Sequence, residues 1–335
     1  MTIMTAKKQQ FLEEDADVHG RVSIKDQVIQ YANIGDVTLA YLDLGRENDK
    51  VIVLIMGFSQ QLAYWSDDFV NSLLVGGYRV VMFDNRDVGL STKFFHVKTP
   101  SVMWQVLRKT VGLSVRAPYS LEDMAADVVG LMDHLDISNA HIVGASMGGL
   151  IAHLVAEKYP GRTSSMVSIM STSGDSSLPQ PEKSLVKRLI NKPKAGASKQ
   201  EYLDYQCGLA LHIGSQTFPS SVDALKERHG FMFDRCHYPE GAQRQLLAVL
   251  KNGDNAEVLK RIKVPSLIIN GEQDPICLPS HAYHMAELIP GGRLLLLKDM
   301  GHGLEKEVSL LVTNEMMNFY REVDPDEIPP EAPAS

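Results

Sequence analysis

The chain has 335 residues, of which 44% are hydrophobic and 22% charged, and its formal net charge is −8. This composition is typical of a globular protein, and the length allows one α/β unit with an insertion. The acidic balance argues against nucleic acid or an anionic membrane as the main partner, and no apolar run is long enough to span a membrane.

The N-terminal segment and the cysteines indicate where the protein works. Residues 1–26 are charged and weakly patterned, and they lack the apolar stretch that a signal peptide requires. We expect them to form a loosely attached arm. The three cysteines are scattered and have no metal-type spacing. A reducing, cytoplasmic location is therefore expected.

Strand and helix patterns alternate along most of the chain. Two strand-like runs, 28–34 and 37–44, flank Gly35-Asp36, the signature of a two-residue hairpin turn. The continuous apolar run 51–55 is expected for a strand that is buried on both faces. Further strands are predicted at 78–83, 141–145, 165–170, 266–270 and 292–297, and helices at about 61–74, 121–135, 146–157, 279–288 and from about 304.

Alternation of this kind predicts an α/β fold, with a mostly parallel twisted sheet and helices on both faces. The core is expected to comprise residues 27–171 and 241–323. Residues 172–240 open with a Ser- and Pro-rich stretch and continue in helical patterns, which predicts an inserted helical cap. Residues 324–335 are acidic and proline-rich and are expected to be disordered.

A shorter interruption, residues 94–120, contains an amphipathic helical pattern. Its apolar positions recur at close to helical spacing and are Met103, Trp104, Val106, Leu107 and Val111. Packing on the cap would explain this face. The alternative, which we adopt as a hypothesis, is that Trp104, Met103 and Leu107 line a substrate pocket.

The strand and helix at 141–157 meet in the sequence Gly144-Ala-Ser146-Met-Gly148. Gly-x-Ser-x-Gly at a strand-to-helix turn is the pattern of a nucleophile elbow. The serine must occupy a strained turn that raises its hydroxyl above the sheet, and side chains at the two glycines would collide with neighbouring backbone. Ser146 is therefore the candidate nucleophile.

A serine hydroxyl needs a base to accept its proton, and the base needs an acid to fix its tautomer. Asp274 follows the strand 266–270, and His302 follows the last strand on a tight loop between two glycines. The order serine, acid, histidine is the one that a nucleophile elbow requires. Asp274 and His302 are the candidate acid and base, with Glu272 as the alternative acid.

Other residues permit different interpretations. His281 and His284 lie three residues apart on a predicted helix and could bind metal, but no third ligand is evident. His153 lies in the elbow helix, where packing or capping is the simpler role. Cys277 is expected to be a small buried apolar residue rather than a reactive thiol.

From residue 28 to about 320, the sequence resembles the α/β-hydrolase superfamily. Within it, the sequence is most similar to the esterase-like branch that includes aclacinomycin methylesterase and resembles the cofactor-free haloperoxidases. The motifs that carry the resemblance are Met56-Gly57-Phe58, residues 83–91, residues 144–149, residues 271–275 and Gly301-His302.

The resemblance implies an oxyanion hole formed by two backbone amides, those of Phe58 and Met147. Many relatives have His-Gly where this chain has Met56-Gly57. The backbone donor is unaffected by that difference, and Met56 is interpreted as a core residue. Haloalkane dehalogenases and epoxide hydrolases are excluded because they attack with aspartate, and Met147 does not match prolyl aminopeptidases.

We therefore expect a serine hydrolase that cleaves a carboxylic ester through an acyl-enzyme. Perhydrolysis, thioester cleavage and a non-catalytic ligand-binding role are the alternatives. The expected partner is a small-molecule ester, with no nucleic acid, membrane, metal or cofactor. The protein is expected to be a monomer or homodimer.

Overall fold

The computed structural model describes residues 21–190, 192–193 and 196–324, which form one sheet of eight strands. The strands are Gln30–Ile34 (β1), Val37–Leu44 (β2), Val51–Ile55 (β3), Arg79–Phe83 (β4), Ala140–Ala145 (β5), Thr163–Ile169 (β6), Ser266–Gly271 (β7) and Arg293–Leu297 (β8). Their order across the sheet is β1-β2-β4-β3-β5-β6-β7-β8. The first two strands form an antiparallel hairpin, β2 pairs antiparallel with β4, and every other pair is parallel. The predicted mostly parallel sheet is confirmed.

Eleven α-helices accompany the sheet in the described residues. They are Asp67–Val75 (α1), Val102–Thr110 (α2), Leu121–His134 (α3), Met147–Lys158 (α4), Lys183–Ile190 (α5), Lys199–Ile213 (α6), Val222–Arg235 (α7), Pro239–Asn252 (α8), Ala256–Arg261 (α9), Pro279–Leu288 (α10) and Lys306–Val323 (α11). Short 3-10 turns lie at Ile24–Asp26, Leu62–Tyr64 and Pro160–Arg162. None of these helices combines the length and apolar character needed to cross a membrane.

Helices cover both faces of the sheet because successive strand side chains point to opposite sides. In β3, Val53 packs in the cluster that includes α3, α4 and α10, whereas Ile52 and Leu54 pack in the cluster that includes α1 and α11. All five residues of β3 are buried, as expected for a central parallel strand. The sheet is therefore a rigid support for the loops that follow its strands.

Helices α5, α6 and α7 lie within the segment 172–240 that the sequence assigns to a cap. The predicted boundary at 240/241 falls inside the first turn of α8, so this helix spans the boundary. A small apolar cluster of Leu185, Leu209 and Ile213 holds α5 and α6 together. The division of the chain into core and cap stays a prediction.

The two terminal predictions fall mostly outside the described residues. Of the arm at 1–26, residues 1–20 are outside, and residues 21–26 contact α1: the amides of Val22 and Ile24 donate to Asn71 and Asp67. Ile24 is buried, so this end of the segment is attached to the core. Of the tail at 324–335, only Asp324 is described.

Candidate active site

Ser146 lies at the turn between β5 and α4 with φ 55° and ψ −117°. A positive φ is rare for a residue with a side chain and is associated with strained functional turns. The turn is close to its neighbours: a Cβ on Gly144 would collide with the carbonyl of Gly148, and a Cβ on Gly148 with that of Ile55. The Ser146 amide donates to the carbonyl of Ile169, 2.9 Å away, which ties the turn to β6.

The structure brings together the three side chains that the sequence singled out. Ser146 Oγ lies 3.1 Å from His302 Nε2, and His302 Nδ1 lies 2.8 Å from Asp274 Oδ2. The second oxygen, Asp274 Oδ1, accepts the amides of Ile276 and Cys277 at 2.8 Å each. The tautomer with its hydrogen on Nδ1 donates to Asp274 and leaves Nε2 to accept the serine proton.

The two loops are held by close backbone contacts at the ends of their strands. Asp274 follows β7 and is 2% exposed, and His302 follows β8. A Cβ on Gly271 would collide with the carbonyl of Met300, so only glycine allows the two loops to approach this closely. The alternative acid, Glu272, is exposed, and it is Asp274 that hydrogen-bonds to His302.

Two backbone amides are free to donate beside Ser146. The amides of Phe58 and Met147 donate to no other described residue, and Met147 is the first residue of α4, where helix amides have no partner within the helix. Gly57 packs against the serine, since a Cβ on it would lie 3.7 Å from Ser146 Oγ. The assignment of these two amides to an oxyanion hole stays a prediction.

Polar side chains that sequence reasoning missed fix the Phe58 loop. Asn85 Nδ2 donates to the carbonyl of Met56 over 3.0 Å, and Met56 itself is a buried core residue. The Ser59 amide donates to Gln245 Oε1 over 2.8 Å, and Gln245 Nε2 donates to the carbonyl of Arg86 over 3.0 Å. These contacts join residues that are far apart in the chain, so local sequence patterns do not predict them.

Buried ion pairs connect the loop after β4 with α7 and α8. Arg235 Nη1 lies 2.6 Å from Asp84 Oδ2, and Arg244 makes two hydrogen bonds to Asp87, of 2.8 and 2.9 Å. The side chains of Asp84 and Asp87 are fully buried. Both acids belong to a motif that the sequence singled out, but their basic partners lie more than 140 residues downstream.

The residues of the proposed pocket helix are mostly exposed in the structure. Met103, Trp104 and Leu107 of α2 are 82%, 58% and 50% exposed. None of the three lines the cavity that includes His302 or the cavity that includes Ser59. The role of this helix in substrate binding stays a prediction.

The paired histidines of α10 are occupied by hydrogen bonds. The two ring nitrogens of His281 lie 2.9 Å from Thr172 Oγ1 and 3.0 Å from the carbonyl of Pro179, and His284 Nδ1 lies 3.0 Å from Ser173 Oγ. Burial lowers the pKa of His281. Together, these contacts explain the pair as structural residues that hold the loop after β6.

One cluster in the described part of the chain has donor atoms close enough to share a metal: Asp274, Cys277 and His302. Metal binding by cysteine requires the thiolate. Burial raises the pKa of Cys277 well above its ordinary value, so its thiol is neutral, as expected for a buried apolar residue. Both side-chain oxygens of Asp274 already accept hydrogen bonds. The cluster fits a proton relay better than a metal centre.

Comparison with protein families and curated sequences gives several matches. A model of the alpha/beta hydrolase fold matches residues 50–206. Rhodomycin D methylesterase DnrP of Streptomyces peucetius is 25% identical over 292 residues, which cover 80% of this chain and 90% of that protein. Putative non-heme bromoperoxidase BpoC of Mycobacterium tuberculosis is 25% identical over 303 residues, covering 86% and 99%. One relative is named a methylesterase and the other a non-heme bromoperoxidase, in agreement with the two enzyme groups that the sequence resembles.

Solved structures share the architecture over nearly their whole length. The enol-lactonase from Burkholderia xenovorans LB400 superposes with a TM-score of 0.65 at 22% identity, covering 87% of this chain and 99% of its own. The esterase EaEST from Exiguobacterium antarcticum gives a TM-score of 0.68 at 19% identity, covering 88% and 100%. At this level of identity, the likeness concerns the fold.

Proposed function

Because this chain has the α/β-hydrolase fold and resembles its esterase-like branch, we propose that it is a serine hydrolase that cleaves a carboxylic ester of a small molecule. The observation that carries the proposal is the relay from Ser146 Oγ through His302 to Asp274, with distances of 3.1 and 2.8 Å. The names of the relatives, a methylesterase among them, support ester cleavage. The backbone amides of Phe58 and Met147 complete the machinery.

The first half of the reaction forms an acyl-enzyme. His302 Nε2 takes the proton from Ser146 Oγ as the oxygen attacks the ester carbonyl carbon. The carbonyl oxygen becomes negatively charged and accepts hydrogen bonds from the amides of Phe58 and Met147. When this intermediate collapses, the bond to the alcohol oxygen breaks, and His302 returns its proton to the leaving alcohol.

The second half releases the acid. A water molecule gives a proton to His302 Nε2 and attacks the acyl carbon, and collapse of the second intermediate returns the proton to Ser146 Oγ. Throughout, ionised Asp274 accepts the hydrogen bond of Nδ1 and stabilises the imidazolium that forms twice in each cycle. Asp274 is suited to this because two amides already hold its other oxygen.

Hydrolysis of p-nitrophenyl butyrate tests the proposal. Ser146→Ala is expected to lower kcat by roughly 10⁴ to 10⁶, because members of such a relay act as a unit. Ser176→Ala is the matched control: Ser176 is exposed, and its substitution should leave kcat unchanged. The proposal fails if Ser146→Ala retains a tenth of the wild-type kcat.

Perhydrolysis is a second candidate because one relative is named a non-heme bromoperoxidase. Hydrogen peroxide would replace water in the second half of the reaction, with His302 as the same base and a peracid as the product. Adding peroxide to an ester assay and measuring peracid against free acid distinguishes the two. Esterase activity without peracid assigns the protein to hydrolysis alone, and peracid as the main product assigns it to perhydrolysis.

A further inference from the structure

A polar cavity lies between the loop after β3 and residues of the segment 172–240. It opens to solvent. The polar residues that line it are Ser59, Gln61, Lys192, Tyr202, Gln206 and His237. The complete lining contains a lysine but neither an aspartate nor a glutamate, although the chain as a whole has a net charge of −8. The cavity therefore offers an amino group and hydrogen-bond donors with no carboxylate in its lining.

Lys192 links this cavity to the proposed reaction centre. Its Nζ lies 4.1 Å from the centroid of the Phe58 ring, a cation–π contact. Phe58 is the residue whose amide faces the reacting carbonyl in the proposed mechanism, and the preceding Gly57 packs against Ser146. Phe58 therefore joins the two places, because its amide belongs to the proposed oxyanion hole and its ring contacts the ammonium group.

The ammonium group of Lys192 has no acidic partner among the described residues. Burial lowers its pKa to about 7, and desolvation is the sole cause of that shift. Other buried cations beside this loop are neutralised, Arg235 by Asp84 and Arg244 by Asp87. An anion bound next to Lys192 would stabilise its charged form, as the aspartates do for the two arginines.

Two buried nitrogens beside the cavity also lack an acceptor in the described structure. Arg235 Nη2 and His237 Nε2 are inaccessible to solvent and form no hydrogen bond. The guanidinium itself is fixed, since Arg235 Nη1 donates to Gln61 Oε1 over 2.8 Å and to Asp84 Oδ2 over 2.6 Å. His237 lines the cavity, and Arg235 is joined to it through Gln61.

We propose that this cavity is a subsite for a carboxylate at the far end of the substrate, with Lys192 as its cationic ligand. The preferred substrates are then monoesters of dicarboxylic acids, whose ester carbonyl lies at Ser146 and whose free carboxylate lies beside Lys192. The assignment rests on the proposed function, because that function places the ester carbonyl at the Phe58 amide. The titratable groups that face the same space are Tyr202, Cys236, His237 and Tyr238.

Matched substrates test the subsite. The p-nitrophenyl monoesters of glutaric and adipic acid are compared with analogues in which the free carboxylate is a carboxamide of the same shape. We expect the wild type to prefer the carboxylate by about tenfold or more in kcat/KM, the scale of one charge-assisted contact. Lys192→Met should lower this ratio of kcat/KM values at least tenfold. The control Lys187→Met, on the exposed side of α5, should leave the ratio unchanged.

A binding measurement separates the subsite from the chemistry. Calorimetric titration of folded Ser146→Ala with adipate should show binding that the added Lys192→Met substitution abolishes. Equal kcat/KM for carboxylate and carboxamide substrates, or adipate binding that is indifferent to Lys192→Met, would overturn the subsite while leaving the ester hydrolase intact. If adipate binding depends on Lys192 but the wild-type protein hydrolyses no ester, the subsite is supported and the proposed function is refuted.

Discussion

The backbone amide of His302 donates a hydrogen bond of 2.6 Å to the carbonyl oxygen of Ile213. Ile213 is the last residue of α6, so the end of a helix in the 172–240 segment holds the loop that carries the candidate base. Gly301 allows this approach, because a Cβ there would collide with the carbonyl of Gly214. The segment 172–240 therefore helps to position the histidine.

The first prediction concerns the acid. Asp274→Asn preserves the shape but can donate a hydrogen to His302 Nδ1, which favours the wrong tautomer and should lower kcat by about 10⁴. Glu272→Gln is the control, and its effect should be small because Glu272 is exposed. Steady-state kinetics on p-nitrophenyl butyrate measures both. If the size of the two effects were reversed, Glu272 would be the acid.

A second prediction concerns Asn85, which positions the Phe58 loop through the carbonyl of Met56. Asn85→Ala should lower kcat by about 10-fold to 10²-fold with a smaller change in KM, because a displaced amide stabilises the transition state less than a correctly aimed one. Asn85→Asp removes the donor while retaining the size and should behave like the alanine variant. A rise in KM with unchanged kcat in either variant would contradict this role.

The third prediction addresses α2. Trp104 is 58% exposed, so Trp104→Ala should lower the free energy of unfolding by only about 0.5 kcal/mol, far below the ~3–5 kcal/mol of a packed tryptophan. The pocket hypothesis also predicts a loss of kcat/KM that is larger for octanoate than for acetate, by up to ~1–3 kcal/mol. Chemical denaturation and a series of acetate, butyrate and octanoate esters measure the two effects. Equal losses on all three esters would refute the hypothesis.

Stability should also depend on pH through His153, which is fully buried and whose ring nitrogens lie 2.9 Å from Ser168 Oγ and 3.2 Å from Asn255 Nδ2. Burial lowers its pKa from 6.5 to about 3. Between these values the unfolded chain binds a proton that the native protein does not, so the free energy of unfolding falls as the pH drops below 6.5. From pH 7 to pH 5, His153 should contribute about 2 kcal/mol to this loss.

Urea denaturation of the wild type and of His153→Gln at pH 7 and pH 5 tests the contribution of His153 to the free energy of unfolding. Between pH 7 and pH 5, the free energy of unfolding of the variant should fall by about 2 kcal/mol less than that of the wild type, because glutamine does not titrate. His229, whose pKa burial lowers to about 4, remains in both proteins and cancels in the comparison. An equal fall in the free energy of unfolding in the two proteins would contradict the assignment of this pH dependence to His153.

Local patterns predicted much of the fold and brought out the residues that meet at the candidate site. Ser146, Asp274 and His302 each follow a strand at a turn with nearby glycines, and the carboxyl ends of parallel strands meet at one edge of a sheet. The spacing of apolar residues likewise located α10 at its observed bounds. These features depend on residues close in sequence.

Contacts between distant segments could not be predicted in this way. Asn85 with Met56, and Lys192 with Phe58, join residues whose neighbours in sequence give no hint of the pairing. The periodicity around Trp104 predicted a helix with one apolar face, which is present, but periodicity does not specify what covers such a face. Tertiary packing decides that point, and in the structure Trp104 is mostly exposed.

Mass spectrometry of the protein after reaction with a fluorophosphonate tests the central claim most directly. Such a reagent phosphonylates only a serine whose hydroxyl is activated by a neighbouring base. We predict one adduct, on the peptide that contains Ser146, which is absent in Ser146→Ala and retained in Ser176→Ala. An unmodified wild-type protein, or an adduct that persists in Ser146→Ala, would contradict the account.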